Sequence, residues 1–313
     1  MKSLHIETPC IFSSVLSQKL GFEVYLKLEN CQPTGSFKLR GIGAMCSEAA
    51  ANGAKMLVSS SSGNAGLAAA YSGRKLGIKT KVFVTELTPD FMKKKIMAED
   101  AEVIVYGRSW DEANVMALKE VQQSKVFYVS PFDHPTIWKG NSTAIDEIYT
   151  QIEKPGMVVV AVGGGGLLLG ILEGLHRKGW KDVPVMACET EGMASFAATF
   201  NAKKLTTLTE ISGVATSLGA KTVSAELLKW FDKHSIISSV VSDNQALESL
   251  VSFLEDHRFL VEPACGAALT AAYFSKLNLK NLKGPLVIIV CGGALTNLAK
   301  LGEWRQMLST INT

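Results

Sequence analysis

A lysine stands beside a phenylalanine, directly behind a run of small residues, in the segment CQPTGSFKLRG at positions 31–41. The segment follows a strand-like run, EVYLKLEN, so Lys38 lies just beyond the junction of a strand and a turn. Most lysines are surface charges, but a lysine amine in a confined turn can also act as a nucleophile towards a carbonyl group. The small residues Thr34, Gly35 and Ser36 would let the amine approach such a group closely, and Phe37 could cover its face.

A second junction carries four consecutive serines in SSSSGNAGLAAAY, at positions 59–71. An alanine-rich helical run follows, and the first turn of a helix exposes free N–H groups with a partial positive charge. Together with Ser60, Ser61, Ser62 and Asn64, those N–H groups could hold a carboxylate. The plain alternative is an ordinary helix cap, for which one serine would suffice. The number of polar residues favours an anion site.

Four consecutive glycines, Gly163 to Gly166, form a third junction between the runs VVVAV and LLLG. Consecutive glycines let backbone N–H groups approach a phosphate closely at the start of a helix. The alternatives are a tight structural turn and a dinucleotide site, with Glu189 after the next strand as the acid that binds a ribose. Taken alone, this junction does not separate a smaller phosphate ligand from a dinucleotide.

A fourth junction, LVIIVCGGALTN, places Cys291 at the end of a strand, although a lone buried cysteine is usually just a small core residue. All four junctions belong to a chain that alternates β-rich and helical runs, which is typical of parallel β-α-β units whose ligands bind at the carboxyl ends of strands. The predicted strands lie at 23–30, 55–60, 81–87, 102–107, 126–132, 157–162, 183–189 and 286–292. The predicted helical runs include 65–77, 111–123 and 168–179.

The composition fits a compact globular protein, with 313 residues, 47% hydrophobic residues and 19% charged residues. The net charge is only +3 and no basic stripe is interleaved with aromatic residues, so nucleic-acid binding is not expected. The six cysteines form no C-x-x-C pair, which argues against a zinc site and a disulfide framework and favours thiols in a reducing cytoplasm. The polar start MKSLHIETPC is not a signal peptide, and glycines interrupt the apolar run 157–172, so no membrane association is expected.

A phosphate-binding loop, a site for a small carboxylate and a lysine in a turn of small residues together suggest pyridoxal phosphate as the cofactor. Pyridoxal phosphate needs a lysine for its Schiff base, a phosphate site and a group opposite its ring nitrogen. The lysine turn and the glycine loop could supply the first two of these groups.

On these residues the chain resembles the fold-type II pyridoxal-phosphate enzymes, and within them the L-serine/L-threonine dehydratases, over nearly its full length. The resemblance rests on PTGSFK (33–38), SSGNAG (61–66), SPFDHPTIWKG (130–140), GGGG (163–166), VEPACGAAL (261–269) and VCGG (290–293). It implies an α/β fold similar to tryptophan synthase β, with two interwoven open twisted sheets flanked by helices. We expect a large cofactor-binding domain at 1–35 and 135–313 and a small domain at 36–134.

The resemblance also implies roles for the residues of the first two junctions. Lys38 forms the Schiff base with the cofactor and then moves the substrate α-proton. Phe37 packs on the cofactor ring, and Asn64 hydrogen-bonds the 3′-oxygen of the cofactor. The carboxylate of a small amino-acid substrate is held by Ser61, Ser62 and Asn64.

The later junctions are expected to bind the rest of the cofactor and a structural cation. Gly163 to Gly166 bind the phosphate, and Cys291 faces the pyridine nitrogen. Glu189 is implied as the carboxylate ligand of K⁺ or a divalent cation. Carbonyl groups near four further residues would complete the cation shell, namely Met193, Ser195, Leu218 and Ala220.

The implied reaction is α,β-elimination, which converts L-serine to pyruvate and ammonia and L-threonine to 2-oxobutanoate. The cofactor spreads the charge of the carbanion, and its phosphate is placed to protonate the departing β-hydroxyl group. A thiol such as Cys291 is a poor proton donor to pyridine, so the ring stays neutral, which favours elimination over transamination. Ser62 occupies the position at which serine racemases carry a second acid/base, so some racemase activity is expected. Ala65 and Cys291 argue against racemization as the main reaction.

Several other functions remain open on sequence alone. Serine racemase, threonine synthase and a cysteine-synthase-like transferase share the scaffold, and a ligand sensor or a nicotinamide dehydrogenase are more distant alternatives. Family likeness predicts a cytoplasmic homodimer. Because the chain ends soon after the VCGG strand, no C-terminal regulatory domain is expected.

Overall fold

The computed structural model describes residues 3–274 and 282–311 and confirms a mixed α/β fold. In chain order, the strands are β1 (Cys10–Phe12), β2 (Val24–Leu28), β3 (Met56–Ser59), β4 (Lys79–Val84), β5 (Glu102–Val105), β6 (Val126–Tyr128), β7 (Met157–Ala161), β8 (Val185–Thr190), β9 (Ile236–Val241) and β10 (Leu286–Val290). The α-helices are α1 (Ser14–Leu20), α2 (Lys38–Ala51), α3 (Asn64–Leu76), α4 (Asp90–Met97), α5 (Trp110–Glu120), α6 (Pro135–Asn141), α7 (Thr143–Gln151), α8 (Gly166–Arg177), α9 (Ser195–Ala202), α10 (Asp243–His257), α11 (Pro263–Tyr273) and α12 (Leu298–Ile311).

The chain divides into two compact units, and each contains one sheet. The first unit, Met1–Ile6 with Gln32–Asn141, holds a sheet of four parallel strands in the order β5-β4-β3-β6. Val58, Phe83, Ala113 and Ala117 form a buried apolar cluster between this sheet and α5. The central strand β3 therefore ends, at Ser59, between two parallel neighbours whose carboxyl ends lie at the same edge of the sheet.

The second unit, Glu7–Cys31 with Ser142–Thr313, holds a six-stranded sheet in the order β1-β2-β10-β7-β8-β9. Only β1 runs antiparallel to its neighbour, and the other pairs in this sheet are parallel. Every residue of β7, β8 and β10 is buried, as expected for valine- and isoleucine-rich strands that have helices on both faces. The carboxyl ends of β7, β8 and β10 consequently lie side by side.

The sequence predicted eight of these strands, and each is present, as are the helices predicted at 65–77, 111–123 and 168–179. Sequence reasoning missed β1 and β9. Three residues, CIF, are too few to show a period in β1. In β9, IISSVV, two serines interrupt the apolar run, because β9 is an edge strand in which Val240 is 43% exposed.

Caps and left-handed turns explain where several helices begin and end. Ser109 and Ser242 each accept a backbone hydrogen bond in a capping box, at the starts of α5 and α10. Gly77, at φ +69°, ends α3. None of the helices in the described part of the chain combines the length and apolar character that a membrane crossing requires. The expected domains, 36–134 against 1–35 with 135–313, stay a prediction, and their limits lie near those of the two units.

Candidate active site

Lys38 is the first residue of α2 and follows a tight turn. The turn is closed by a hydrogen bond of 2.7 Å from Gly35 N–H to Gln32 O, and Gly35 adopts φ +72°, which favours glycine. The half-buried Lys38 side chain reaches the loop after β6, where its Nζ donates to Pro131 O at 2.6 Å. The same Nζ lies 5.3 Å from the centroid of the Phe37 ring. The amine is therefore held in a defined position beside an aromatic face.

Ser62 is held by the loop that follows β4. Its Oγ accepts hydrogen bonds from Thr85 N–H at 3.2 Å and from the Thr88 hydroxyl at 2.7 Å. A hydroxyl oxygen has two lone pairs, so these two donors leave the Ser62 proton to be donated elsewhere. Ser62 is thus oriented as a hydrogen-bond donor, and the sequence did not indicate that Thr85 and Thr88 orient it.

Ser61 and the start of α3 are packed very tightly. Ser61 Oγ accepts from Gly63 N–H at 3.3 Å, and the buried Asn64 is the first residue of α3. A Cβ atom on Gly66 would lie 2.0 Å from Ser61 O. Only glycine at this position lets the serine segment lie directly against the first turn of the helix.

A partly buried polar cluster forms around Ser60. Ser60 Oγ donates to Asn114 Oδ1 at 2.8 Å, and the Tyr128 hydroxyl donates to the same oxygen at 2.6 Å. Burial raises the pKa of Tyr128, so its hydroxyl stays protonated and keeps donating. The cluster fixes Ser60 to β6 and α5. Sequence reasoning assigned Ser60 to the anion site, whereas in the structure its hydroxyl group donates a hydrogen bond to Asn114.

The glycine loop joins β7 to α8. Gly165 precedes the helix at φ +91°, and a Cβ atom there would lie 2.5 Å from Leu227 Cδ1. A Cβ atom on Gly163 would lie 3.1 Å from Leu218 Cα. Gly164 O accepts a hydrogen bond of 2.9 Å from Ser224 N–H. The loop therefore keeps bare backbone at the positively polarised end of α8, which is the arrangement that binds phosphate.

Cys291 follows β10 and is not the lone cysteine that the sequence suggested. Its Sγ lies 3.3 Å from the Sγ of Cys265 on α11, and both side chains are buried. The two residues are 26 positions apart, and nothing in their spacing indicates the contact.

Glu189 is fully buried near the end of β8 and faces the start of α9. Its two carboxyl oxygens accept from Phe196 N–H and Ala197 N–H, each at 2.8 Å. Burial raises the pKa of Glu189 to about 7, although the two N–H donors act in the opposite direction. A bound cation would compensate the charge of this buried carboxylate.

The remaining residues of the expected cation site lie close to one another. Leu218 packs against Gly163, and a Cβ atom on Gly219 would lie 3.8 Å from Met193 Sδ. Ala220 N–H donates to Leu218 O at 2.7 Å. Ser195 Oγ is buried and has no hydrogen-bond partner in the part of the chain that the structure describes. That these residues bind a cation stays a prediction.

Each unit therefore carries its own set of predicted residues at strand ends. The first unit holds Lys38, Ser61, Ser62 and Asn64, and the second holds the glycine loop, Cys291 and Glu189. That the two sets form one active site stays a prediction.

Known proteins resemble this chain over nearly its whole length. The family described as pyridoxal-phosphate dependent enzyme matches residues 1–292. The L-serine dehydratase/L-threonine deaminase of Bos taurus is 45% identical, and the match covers 98% of this chain and 97% of the relative. A serine dehydratase-like protein of Rattus norvegicus is 46% identical over 97% of this chain and 95% of its own length. The crystal structure of an L-serine ammonia-lyase from Rhizomucor miehei superposes with a TM-score of 0.93 at 38% identity, covering 97% of this chain and 99% of that one.

Proposed function

The chain belongs to the family of pyridoxal-phosphate-dependent enzymes, and from that premise we propose that it is an L-serine ammonia-lyase that also accepts L-threonine. It eliminates water from L-serine and releases pyruvate and ammonia. The observation that carries the proposal is the match at 45% identity to a dehydratase of both amino acids, which spans 98% of this chain. The placement of Lys38 beside Phe37, with its amine on Pro131 O, supports it.

The residues present fit pyridoxal phosphate. The loop from Gly163 to Gly166 can present its backbone N–H groups to a phosphate, and its glycines also allow close packing, because a side chain on Gly163 would crowd Leu218 and one on Gly165 would clash with Leu227. The Thr34 and Ser36 hydroxyls, next to the Lys38 turn, are buried and have no hydrogen-bond partner among the described residues. Buried polar groups are normally satisfied, so these two favour a polar ligand nearby.

Different side chains and backbone groups of the protein would then carry out different steps of the reaction. Bound pyridoxal phosphate supplies the electron sink that makes the α-proton of the amino acid acidic. Lys38 takes that proton from Cα. Ser61, Asn64 and the N–H groups at the start of α3 hold the substrate carboxylate and so orient the Cα–H bond. Ser62, whose Oγ accepts from Thr85 and Thr88, would donate its own proton to the carboxylate or to the opposite face of Cα.

Product analysis tests this function directly. We expect the protein, supplied with pyridoxal phosphate, to form pyruvate from L-serine and 2-oxobutanoate from L-threonine, with D-serine a poor substrate. Formation of D-serine from L-serine as the main product would instead identify a racemase. A minor D-serine product that disappears in Ser62→Ala would show that Ser62 acts as a second acid/base.

The hydrogen bond from Thr88 to Ser62 predicts a change in substrate binding. Thr88→Val keeps the shape of the side chain but removes the donor, so we expect KM for L-serine to rise about 5-fold or more. Thr88→Ser keeps the hydroxyl and should stay close to the wild type. Steady-state pyruvate formation measures both variants. Equal KM values for Thr88→Val and the wild type would contradict the assigned role.

A side chain added to the glycine loop is expected to weaken the binding of the cofactor. Gly165→Ala places a methyl group against Leu227 and strains a residue at φ +91°, so we expect the dissociation constant for pyridoxal phosphate to rise by at least about 10-fold. The control is Gly179→Ala, a glycine after α8 at φ +76° with no heavy atom within 4 Å of its Cβ position. Titration of the cofactor-free protein, followed by absorbance, measures the constants. Equal losses in both variants would mean that backbone strain, not the loop itself, weakens binding.

We propose further that Glu189 and the carbonyl groups near Met193, Ser195, Leu218 and Ala220 bind K⁺ or a divalent cation. Binding to the folded state stabilises it, so saturating KCl should raise Tm by roughly 3 °C or more above tetramethylammonium chloride of equal strength. Glu189→Gln should abolish this difference. A wild-type Tm that is the same in both salts would exclude K⁺, and the same comparison with MgCl₂ and CaCl₂ would then exclude a divalent ion.

The proposal also covers the oligomeric state of the protein and its cellular compartment. We propose a homodimer in the cytoplasm, with no nucleic-acid or membrane partner, on the likeness to the family and on the cysteine usage. Light scattering during size-exclusion chromatography would measure a mass near twice 33.6 kDa for the dimer.

A further inference from the structure

The segment 224–234 contacts the glycine loop at its first residue. Ser224 N–H donates to Gly164 O at 2.9 Å, and the buried Leu227 side chain packs where Gly165 has no Cβ atom. A trans peptide is planar, so the N–H of Gly165 points away from the carbonyl group of Gly164. The hydrogen bond from Ser224 therefore sets the direction of Gly165 N–H, one of the donors that we propose for phosphate.

The same segment contacts the opposite end of α8, the helix that begins at the glycine loop. His176, in the last turn of α8, places its Nε2 atom 3.1 Å from Nδ1 of His234, whose exposed fraction is 6%. The His176 ring also meets the Trp230 ring edge-on, with 4.8 Å between the centroids. The segment therefore extends from the start of α8 to its last turn and is attached at both ends.

The backbone decides which histidine donates in this pair. His234 Nε2 lies 2.8 Å from Val183 O, and a carbonyl oxygen only accepts, so Nε2 of His234 carries a hydrogen. In a neutral ring the other nitrogen then has none, so His234 Nδ1 accepts and His176 Nε2 donates. The pair can take one further proton, at His176 Nδ1, with the bond intact. A second one must enter at His234 Nδ1, where two hydrogens would meet in the 3.1 Å gap.

We propose that His176 and His234 are positioning residues that fasten the 224–234 segment along α8, and that the segment in turn holds the glycine loop in the form that binds phosphate. The fastening is released when both rings are protonated. The part that concerns phosphate rests on the proposed function, whereas the link between the two ends of the segment does not.

The charges around the pair favour the neutral, bonded form. Burial lowers the pKa of His176, and Lys181 and Lys233 lower it further. Burial also lowers the pKa of His234, as does His176, although its hydrogen bond to the backbone and Asp182 act in the opposite direction. Because both pKa values lie below the usual value of about 6.5, the pair contributes its full stability above that pH and loses it progressively as the pH falls.

Other charged groups on these elements form ion pairs of their own: Arg177–Asp146, Lys178–Asp146 and Lys229–Glu226. Burial raises the pKa of Glu173 on α8, and Glu226 adds to this rise although Arg177 opposes it. Glu173 therefore also takes up a proton in acid. A variant that changes only His176 leaves these groups in place, so its difference from the wild type isolates the histidine pair.

Hydrogen exchange of the Ser224 amide, measured by NMR on the full-length protein, tests the link. His176→Phe keeps an aromatic ring but donates no hydrogen bond, so we expect the protection of Ser224 to fall about 5-fold. His176→Gln is the matched control, because its amide nitrogen can donate in place of Nε2, and it should keep the wild-type protection. Phe231 packs against Phe196, so the change should stay local.

The amide of Val162, which donates to Cys188 O in the large sheet, separates a local effect from a general loss of stability. Its protection should be the same in His176→Phe and the wild type. Equal protection of Ser224 in the two proteins would overturn the proposal, as would an equal fall at Ser224 and Val162.

The wild type alone tests the release in acid, even if His176→Phe fails to fold. Between pH 7.5 and pH 5.0 we expect the protection of Ser224, corrected for the intrinsic exchange rate, to fall about 5-fold. In His176→Gln it should stay level, because a side-chain amide can donate to a neutral His234 or accept from a protonated one. A wild-type protection that does not change, or an equal fall in His176→Gln, would overturn the release.

The effect on the glycine loop has its own readout. If the loop is formed in a smaller fraction of molecules, the affinity for a ligand falls by that fraction. We therefore expect the dissociation constant for pyridoxal phosphate at pH 7.5 to rise by about 3-fold or more in His176→Phe and to stay at the wild-type value in His176→Gln. Lower protection of Ser224 with an unchanged constant would overturn this part. A protein that binds no pyridoxal phosphate would refute the proposed function, and hydrogen exchange would still decide the link.

Discussion

Lys38→Ala is expected to lower kcat for pyruvate formation from L-serine by at least about 10³-fold. The variant lacks the amine that we propose to join the cofactor and to take the α-proton. Lys38 is placed for these roles by the turn at Gly35, and its amine is held by Pro131 O. Lys38 is the only lysine in the segment 31–41, so no other amine of this segment can replace it.

Mass spectrometry after borohydride reduction separates loss of the amine from loss of the fold. The wild-type protein should retain the mass of the cofactor on the peptide that contains Lys38, and the variant should not. Lys94→Ala, an exposed lysine on α4, is the control and should keep both the label and the rate. A labelled Lys38→Ala protein that turns over normally would refute the assignment of Lys38 and, with it, the proposed chemistry.

Gly66→Ala is expected to have the second largest effect. The added methyl group would lie 2.0 Å from Ser61 O and 2.9 Å from Val82 Cγ1, and neither a backbone carbonyl nor a packed strand can move away easily. We expect a loss of about 1–3 kcal/mol in the free energy of unfolding, as for other overpacked sites. Because Ser61 must move, KM for L-serine should rise by at least about 10-fold in the protein that remains folded.

Urea unfolding and steady-state kinetics measure the two effects separately. Gly302→Ala is the matched control, because Gly302 lies in α12 with no heavy atom within 4 Å of its Cβ position. Alanine there should be neutral or stabilise the helix by about 0.5–1 kcal/mol. A Gly66→Ala protein with normal stability and normal KM would show that the serine segment does not depend on its contact with α3.

The sequence predicted the strand ends well because parallel strands buried on both faces leave a strong signal. Uninterrupted runs such as MVVVA in β7 and LVIIV in β10 cannot be mistaken for exposed structure, and the residues that follow them were correctly placed at strand ends. The same logic located Lys38, the serine segment, the glycine loop and Cys291. Glu189 was found in this way as the acid near the end of β8.

The residues that support the site could not be predicted because their contacts run between elements that are distant in the chain. Thr88 reaches Ser62 because β4 pairs with β3, and Tyr128 reaches Ser60 because β6 pairs with β3. Cys265 reaches Cys291 through the packing of α11 against the end of β10. Propensity and periodicity report the face on which a residue lies, not which residue it will meet. The loop TELTP after β4, with its two threonines at a strand end, was a signal that could have been followed.

The pairing of β2 with β10 constrains the order in which the two sheets can fold during translation. Val24 lies opposite Leu286, so the six-stranded sheet cannot close until the ribosome has translated β10. The four-stranded sheet draws its strands from an uninterrupted stretch, Gln32–Asn141, and can form while the remainder is still being translated. Residues 7–31 are translated before that stretch but must wait for β10. This arrangement of high contact order slows folding and leaves a nascent strand edge open to aggregation or chaperone capture.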